Sequence, residues 1–341
     1  MKLRETETSN APIYKEFFSK NEMNVEVENT IWRGRPSNNS FCFINPKSKY
    51  KEREKEVLEK LQEVFDIRSD SFKKKYEMAI SGDGQEVKRI STLHSSSLAA
   101  LLLLYSVSKT KPLKCELGGE KYVFDNCYFE VKTNVKDSHF SNMDVVLVGK
   151  NSEGKDVLFF LESKFSEYLK TGMCNNISLD AYQQEYNNLG LVNEAIRGVR
   201  FVEGTGKDNV KCLQIKSDTP QYCDGIKQMI SHYIGVTNFI ENGEIALDPK
   251  QKSHFDEIVK LRDCGAEIIL GEVLFNFGDK VSGGKEKIEK YASIYGALAE
   301  ILKEHIKEHT SKLYILPEIL TYQELLKDFN LDDKIKNFYQ L

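Results

Sequence analysis

The chain predicts an α/β fold in which a central mixed sheet is flanked by helices, an αβββαβ core with helical N- and C-terminal extensions. Three observations predict it. A strongly apolar helix, Leu98 to Val107, precedes a run of strand patterns between Tyr122 and Phe165. A helical pattern follows, and Ala266 to Phe275 then reads as a last strong strand. No internal repeat and no low-complexity linker divides the chain, so one core spanning residues 90–280 is expected. Residues 1–89 form a partly helical extension, and residues 281–341 a helical extension packed on the core.

Residues 1 to 45 read as irregular and polar, pinned to the body by Trp32 and the Phe41 to Phe43 cluster. Residues 48 to 65, SKYKEREKEVLEKLQEVF, place Val57, Leu58, Leu61 and Phe65 on one stripe of a helix with a solvated charged face. After a glycine-containing break at Ser81 to Gly84, Ser95-Ser96-Ser97 offers hydroxyls to cap the buried helix Leu98 to Val107. Tyr122 to Val131 is a strand, and Asn142 to Phe165 a hairpin. A tyrosine-rich helix from Leu179 to about Arg197 and a strand at Val210 to Ile215 come next. Asp224 to Ile234 is a helix with Ile226, Met229, Ile230, Tyr233 and Ile234 at core spacing. Beyond the last strand lie helix Lys285 to His309, the apolar run Leu313 to Leu316, and helix Tyr322 to Lys327.

Composition bounds the function. With 341 residues, 40% of them hydrophobic, the chain buries a large core. Its net charge of −4 argues against binding nucleic acid by bulk charge, while a local basic groove remains compatible with it. The amino end, MKLRETETSNAPIYKEFF, lacks the apolar core of a signal peptide, and the apolar run Leu98 to Tyr105 is too short to span a bilayer. Seven cysteines, at 42, 115, 127, 174, 212, 223 and 264, form no CxxC pair. That pattern fits reduced thiols in a cytoplasmic protein rather than a disulfide frame or a zinc site.

The chemistry is expected in NMDVVLVGKNSEGKDVLFFLESKF, residues 142 to 165. Asn151-Ser152-Glu153-Gly154 supplies turn residues between two apolar strands. A register placing Val148 opposite Leu158 also places Asp144 opposite Glu162, with Cβ atoms ~5 Å apart. Two carboxylates that close repel unless a cation lies between them, and oxygen ligands suit a hard divalent ion such as Mg²⁺. Lys164, two residues past Glu162, projects from the same face, so a solvent-open cleft holding all three is expected. Val157 to Leu161 is apolar at every position, which indicates a strand covered on both faces; charges abutting it need partners or a metal.

Asp144, seventeen residues, then Glu162-Ser163-Lys164 closing an apolar strand resembles the PD-(D/E)xK nuclease superfamily, the restriction-endonuclease-like fold, over residues 90 to 280. Met143 stands where the superfamily name has Pro. About seven acid-x-base triplets arise by chance among 52 acids and 48 bases, so the context carries the resemblance rather than the tripeptide. It implies a metal-dependent nuclease hydrolysing phosphodiester bonds, a DNA endonuclease of restriction or repair type, using Mg²⁺ with Mn²⁺ as substitute. Asp144, Glu162 and Glu130 are the implied metal ligands, and Asp144, Glu162, Lys164 and Gln228 the implied catalytic residues. Glu130 ends the strand before the hairpin, in CYFEVK, where related nucleases add a glutamate to the metal site. Gln228 and His232, in KQMISHYIG, resemble a superfamily helix whose Gln orients the Lys or a phosphate. On a helical wheel Gln228 lies nearly opposite the Ile226/Ile230 stripe, so only a helix end overhanging the site rim lets it act. The implied partners are nucleic acid, DNA foremost, and a second copy in a homodimer, with no membrane. The alternative is a catalytically inactive nuclease-fold protein acting as a nucleic-acid-binding or scaffold module.

Other patterns carry less. Gly204-Thr205-Gly206-Lys207 lacks the flanking residues of a phosphate loop and reads as a surface turn. His305-Ile306-Lys307-Glu308-His309 has helical His spacing without a zinc-protease Glu and reads as an exposed helix end. His94 beside Ser95 reads as part of a cap. Lys170, Arg197, Arg200, Lys207, Lys211 and Lys216 follow the hairpin as candidate phosphate contacts, Arg197 and Arg200 on one expected helix face.

Overall fold

A computed structural model describes residues 17–18, 28–32, 35–42, 51–81, 90–92, 95–136, 139–169, 177–178, 189, 191, 195–196, 199–205, 211–217, 223–243, 247–248, 255–281, 283–309 and 312–341. The chain begins with strands β1 (Glu28–Trp32) and β2 (Arg35–Cys42) and helices α1 (Lys51–Phe65), α2 (Asp70–Ala79) and α3 (Ser96–Leu104). Strands β3 (Leu113–Leu117), β4 (Glu120–Lys136), β5 (His139–Asn151) and β6 (Asp156–Lys164) follow, then the short strands β7 (Ile177–Ser178), β8 (Ala195–Ile196), β9 (Val199–Thr205) and β10 (Lys211–Ser217). Helices α4 (Cys223–Asn242) and α5 (Asp256–Asp263) lead to β11 (Glu267–Leu274) and α6 (Gly284–His309). Strands β12 (Leu313–Ile315) and β13 (Leu320–Thr321) and helices α7 (Tyr322–Leu325) and α8 (Asp333–Tyr339) close the chain.

The fold is α/β with a mixed seven-stranded sheet, ordered β12-β11-β6-β5-β4-β3, with β13 also pairing β11. From β3 to β6 the strands are antiparallel, as short turns allow; β6–β11, β11–β12 and β11–β13 are parallel. Strands β7 to β10 form a separate four-stranded sheet within the connection from β6 to β11.

Both faces of β6 are covered, which explains its unbroken apolar run: Val157 to Leu161 are all fully buried. On one face Phe160 meets Phe239 of α4, and Asn238 of α4 donates to the carbonyls of Asn134 and Val135 on β4. α5 docks there through Glu257, which accepts from Tyr128 at 2.5 Å, and α6 through Tyr291, which donates to Glu272 at 2.7 Å. On the other face Ser163 donates to the Ser96 carbonyl of α3 at 3.2 Å, and Tyr339 of α8 packs on Phe165 and Phe275. Ser95 caps α3, its hydroxyl accepting from Leu98 N at 3.0 Å, and Leu98 to Leu104 are all buried.

Several expectations need correction. Residues 28–32 and 35–42 pair as an antiparallel ladder rather than lying irregular. Within the helix expected from Leu179 to Arg197, Ala195–Ile196 is a strand; the rest of that span, Leu189 and Leu191 apart, lies outside the described residues. The helix laid on the sheet within the β6–β11 crossover is α4 instead. β4 continues six residues past Glu130 to Lys136, so Glu130 sits inside a strand rather than at its end. Gly204 lies in β9 against Gln214, not in a surface turn, while Lys207 and His94 lie outside the described residues. His305 is half-buried and pairs with Tyr233 at 2.6 Å, so that helix end is not simply exposed. Among the described residues no helix is long and apolar enough to cross a membrane, and Cys115, Cys127 and Cys264 are free thiols.

Candidate active site

The hairpin adopts the expected register. Val148 pairs with Leu158, and the ladder runs on to Val145 opposite Leu161, one step short of Asp144 and Glu162. There the Asp144 carboxylate replaces a ladder carbonyl, Oδ2 accepting from Ser163 N at 2.8 Å. On β4, the pairs Phe129–Val145 and Val131–Met143 bracket Glu130 beside Asp144. Glu130 has φ 52°, a left-handed conformation costing a non-glycine residue ~1–3 kcal/mol, which persists where the surroundings impose it. On the far side of β6, Glu272 of β11 is the register partner of Glu162. Four acids therefore lie abreast across β4, β5, β6 and β11.

Glu130, Asp144, Glu162, Lys164 and Gln228 line one cavity of about 580 Å³, together with His232, Lys227 and the serines opening α3. Lys164 Nζ donates to Glu162 Oε1 at 2.5 Å and to Gln228 Oε1 at 2.6 Å. Lys227, Gln228, Ser231 and His232 of α4 line the cavity; Gln228 is exposed as a residue while its amide oxygen reaches the buried amine. Although it lies off the Ile226/Ile230 stripe, Gln228 reaches Lys164. Glu162 and Lys164 are only 4% and 3% exposed, more enclosed than the open cleft expected, whereas Asp144 is half-buried.

The electrostatics are those of crowded acids sharing one cation. Burial, reinforced by Glu162 and Glu130, holds the Asp144 carboxyl well above its usual range, against the pull of Lys164 and the Ser163 amide. Burial alone would raise Glu162, but Lys164 and His232 outweigh it and hold it at about 2. Burial would lower Lys164, but Glu162, Glu272, Glu167 and Asp144 keep it firmly protonated. Glu272, buried against Tyr291, is pushed up to about 7.

Ser141 and Glu272 were not foreseen at this cluster, and His232 was expected only as a companion of Gln228 on its helix. His232 places Nε2 2.9 Å from Glu162 Oε2 and Nδ1 2.5 Å from Ser141 Oγ. Its spacing of four from Gln228, one helical turn, was the available signal for His232. Ser141 left no signal; Glu272 left one, an acid inside the apolar strand EIILGEVL. The basic cluster is not where it was expected. Arg200 lies on β9 opposite Lys216 on β10, not on a helix; Lys211 is on β10, and Lys170, Arg197 and Lys207 lie outside the described residues. Among the described residues no group of three or more His, Cys, Asp or Glu side chains stands ready-made around a single metal position. Comparison of the chain with protein-family models, with curated proteins and with solved structures finds no match.

Proposed function

We propose that the chain is a metal-dependent phosphodiesterase, a nuclease cutting DNA internally, built on a restriction-endonuclease-like core. One observation carries this: Asp144, Glu162, Lys164 and Gln228, far apart in sequence, converge in one cavity with Lys164 hydrogen-bonded to both Glu162 and Gln228. The element order α3, β4, β5, β6, α4, β11 supports the core assignment. The donor chemistry fits a hard dication: burial, with Glu162 and Glu130 close by, holds the Asp144 carboxyl well above its usual range, and a cation would relieve the repulsion among these acids.

Asp144, Glu162 and Glu130 are the residues that would hold Mg²⁺ or Mn²⁺, which when bound supplies Lewis acidity towards a phosphate oxygen and lowers the pKa of water. The protein's own part is positional and electrostatic. Lys164, kept charged by its carboxylate neighbours, stabilises negative charge as water forms a new bond to phosphorus and the bond to the leaving sugar oxygen breaks. Gln228 fixes the direction of that amine, and α4 supplies one wall of the cavity. Lys227 at the cavity wall offers a positive charge to a flanking phosphate.

Incubation with supercoiled and linear duplex DNA, single-stranded DNA and RNA, in Mg²⁺, Mn²⁺ or EDTA, tests this. Metal-dependent nicking of supercoiled DNA is expected. One observation favours the second reading, an inactive binding or scaffold module: both Glu162 oxygens already face partners, Lys164 and His232, so the cluster holds together without an ion. No cleavage and no calorimetric heat with either dication would select it.

A further inference from the structure

His232 is only 3% exposed, yet its Nε2 makes no hydrogen bond although it faces Glu162 Oε2 at 2.9 Å. The two atoms are close but misaligned as donor and acceptor. That separation has another meaning: ligands at right angles around one ion with bonds of ~2.1 Å stand ~3.0 Å apart. Glu162 Oε1 accepts from Lys164, whereas Oε2 faces only His232, without an aligned hydrogen bond, and is the oxygen that can turn to a ligand. On the opposite side of the ring, Ser141 Oγ lies 2.5 Å from Nδ1 and fixes the imidazole plane. A metal-binding histidine is held by its second nitrogen in this way.

We propose that His232 Nε2 is a metal ligand together with Glu162 Oε2, in a mixed nitrogen and oxygen site that prefers a transition-metal dication, Mn²⁺ or Co²⁺, over Mg²⁺. The acid row alone would suit Mg²⁺; one imidazole shifts the preference, because nitrogen ligation favours the later, softer ions. This extends the metal site of the proposed nuclease and does not depend on cleavage itself.

The test is pulsed electron paramagnetic resonance on the full chain loaded with Mn²⁺, with [¹⁵N]histidine-labelled protein to identify imidazole nitrogen without mutation. The wild type should show coupling to one histidine nitrogen and should bind Mn²⁺ at least tenfold more tightly than Mg²⁺. His232→Gln, with native circular dichroism, should lose the nitrogen coupling and that preference. Ser141→Ala leaves Nε2 untouched and should weaken Mn²⁺ binding about 10- to 100-fold, which keeps the test decisive should His232→Gln fail to fold. Mn²⁺ bound without nitrogen coupling, coupling that survives His232→Gln, or unchanged affinity in Ser141→Ala overturns the assignment and leaves the carboxylate nuclease standing. Nitrogen coupling in a protein that cleaves no nucleic acid upholds the site and overturns the nuclease. No Mn²⁺ binding defeats both.

Discussion

Lys164 on β6 donates a 2.6 Å hydrogen bond to Gln228 Oε1 on α4, joining the end of a central strand to a helix residue 64 positions on. The amine is thereby fixed from both sides, by Glu162 within its own strand and by Gln228 across the cavity.

Gln228→Ala should consequently slow cleavage about tenfold, a loss of ~1.4 kcal/mol in transition-state stabilisation, while metal affinity changes little. Because Gln228 is exposed, the melting temperature should scarcely move. A large drop in stability with unaltered single-turnover rate would make Gln228 a packing residue instead.

Lys227 lines the cavity beside Gln228, and phosphate contact there predicts a salt-dependent contribution to binding. With Ca²⁺ in place of Mg²⁺ to suppress turnover, Lys227→Ala should weaken duplex binding and flatten the plot of log K against log salt by ~0.9. The paired change Arg200→Ala, Lys216→Ala tests whether β9 and β10 extend the track. An unchanged slope in filter binding for both sets would put the substrate path elsewhere.

Glu272 predicts an unusual pH dependence of stability. Burial raises it from 4.5 to about 7, so between those values the folded protein holds a proton that the unfolded chain releases. Its contribution is therefore favourable at low pH and is lost as pH rises towards 7. In EDTA, Glu272→Gln should gain on the wild type by a few kcal/mol between pH 4.5 and 7, measured by urea denaturation. A gap between the two proteins that is constant with pH would contradict the shift.

Gly149 sets the approach of β4 to β5: a Cβ there would stand 2.1 Å from Val123 O, an immovable backbone atom. Gly149→Ala should destabilise the fold by about 3 kcal/mol. Unaltered thermal unfolding would mean that these strands tolerate a wider separation.

How much was legible follows from the range of each signal. The β5–β6 hairpin was readable because a short turn fixes register, and register then fixes Asp144 against Glu162. Gln228 was visible only as a motif, since its bond to Lys164 joins residues 64 apart on a strand and a helix. The bond from Ser141 to His232 joins residues 91 apart and leaves no local pattern. Glu130 was misplaced at a strand end because the strand was read only to Val131, whereas the polar stretch Lys132 to Lys136 continues β4 by pairing with β5 beneath α4. Strand β3 and helices α2, α5 and α8 are short, ten residues or fewer, too short for local pattern alone to mark them.

In the proposed nuclease the acids and the lysine of this cavity act as one metal-dependent hydrolytic unit. Its most direct test is Mn²⁺-dependent nicking of supercoiled DNA by the wild type beside Asp144→Asn, Glu162→Gln and Lys164→Met, each checked for native circular dichroism. The account predicts cleavage by the wild type, none in EDTA, and a loss of roughly a thousandfold or more in every variant. A folded wild type that leaves DNA intact, or a variant that cuts as fast as the wild type, would contradict it.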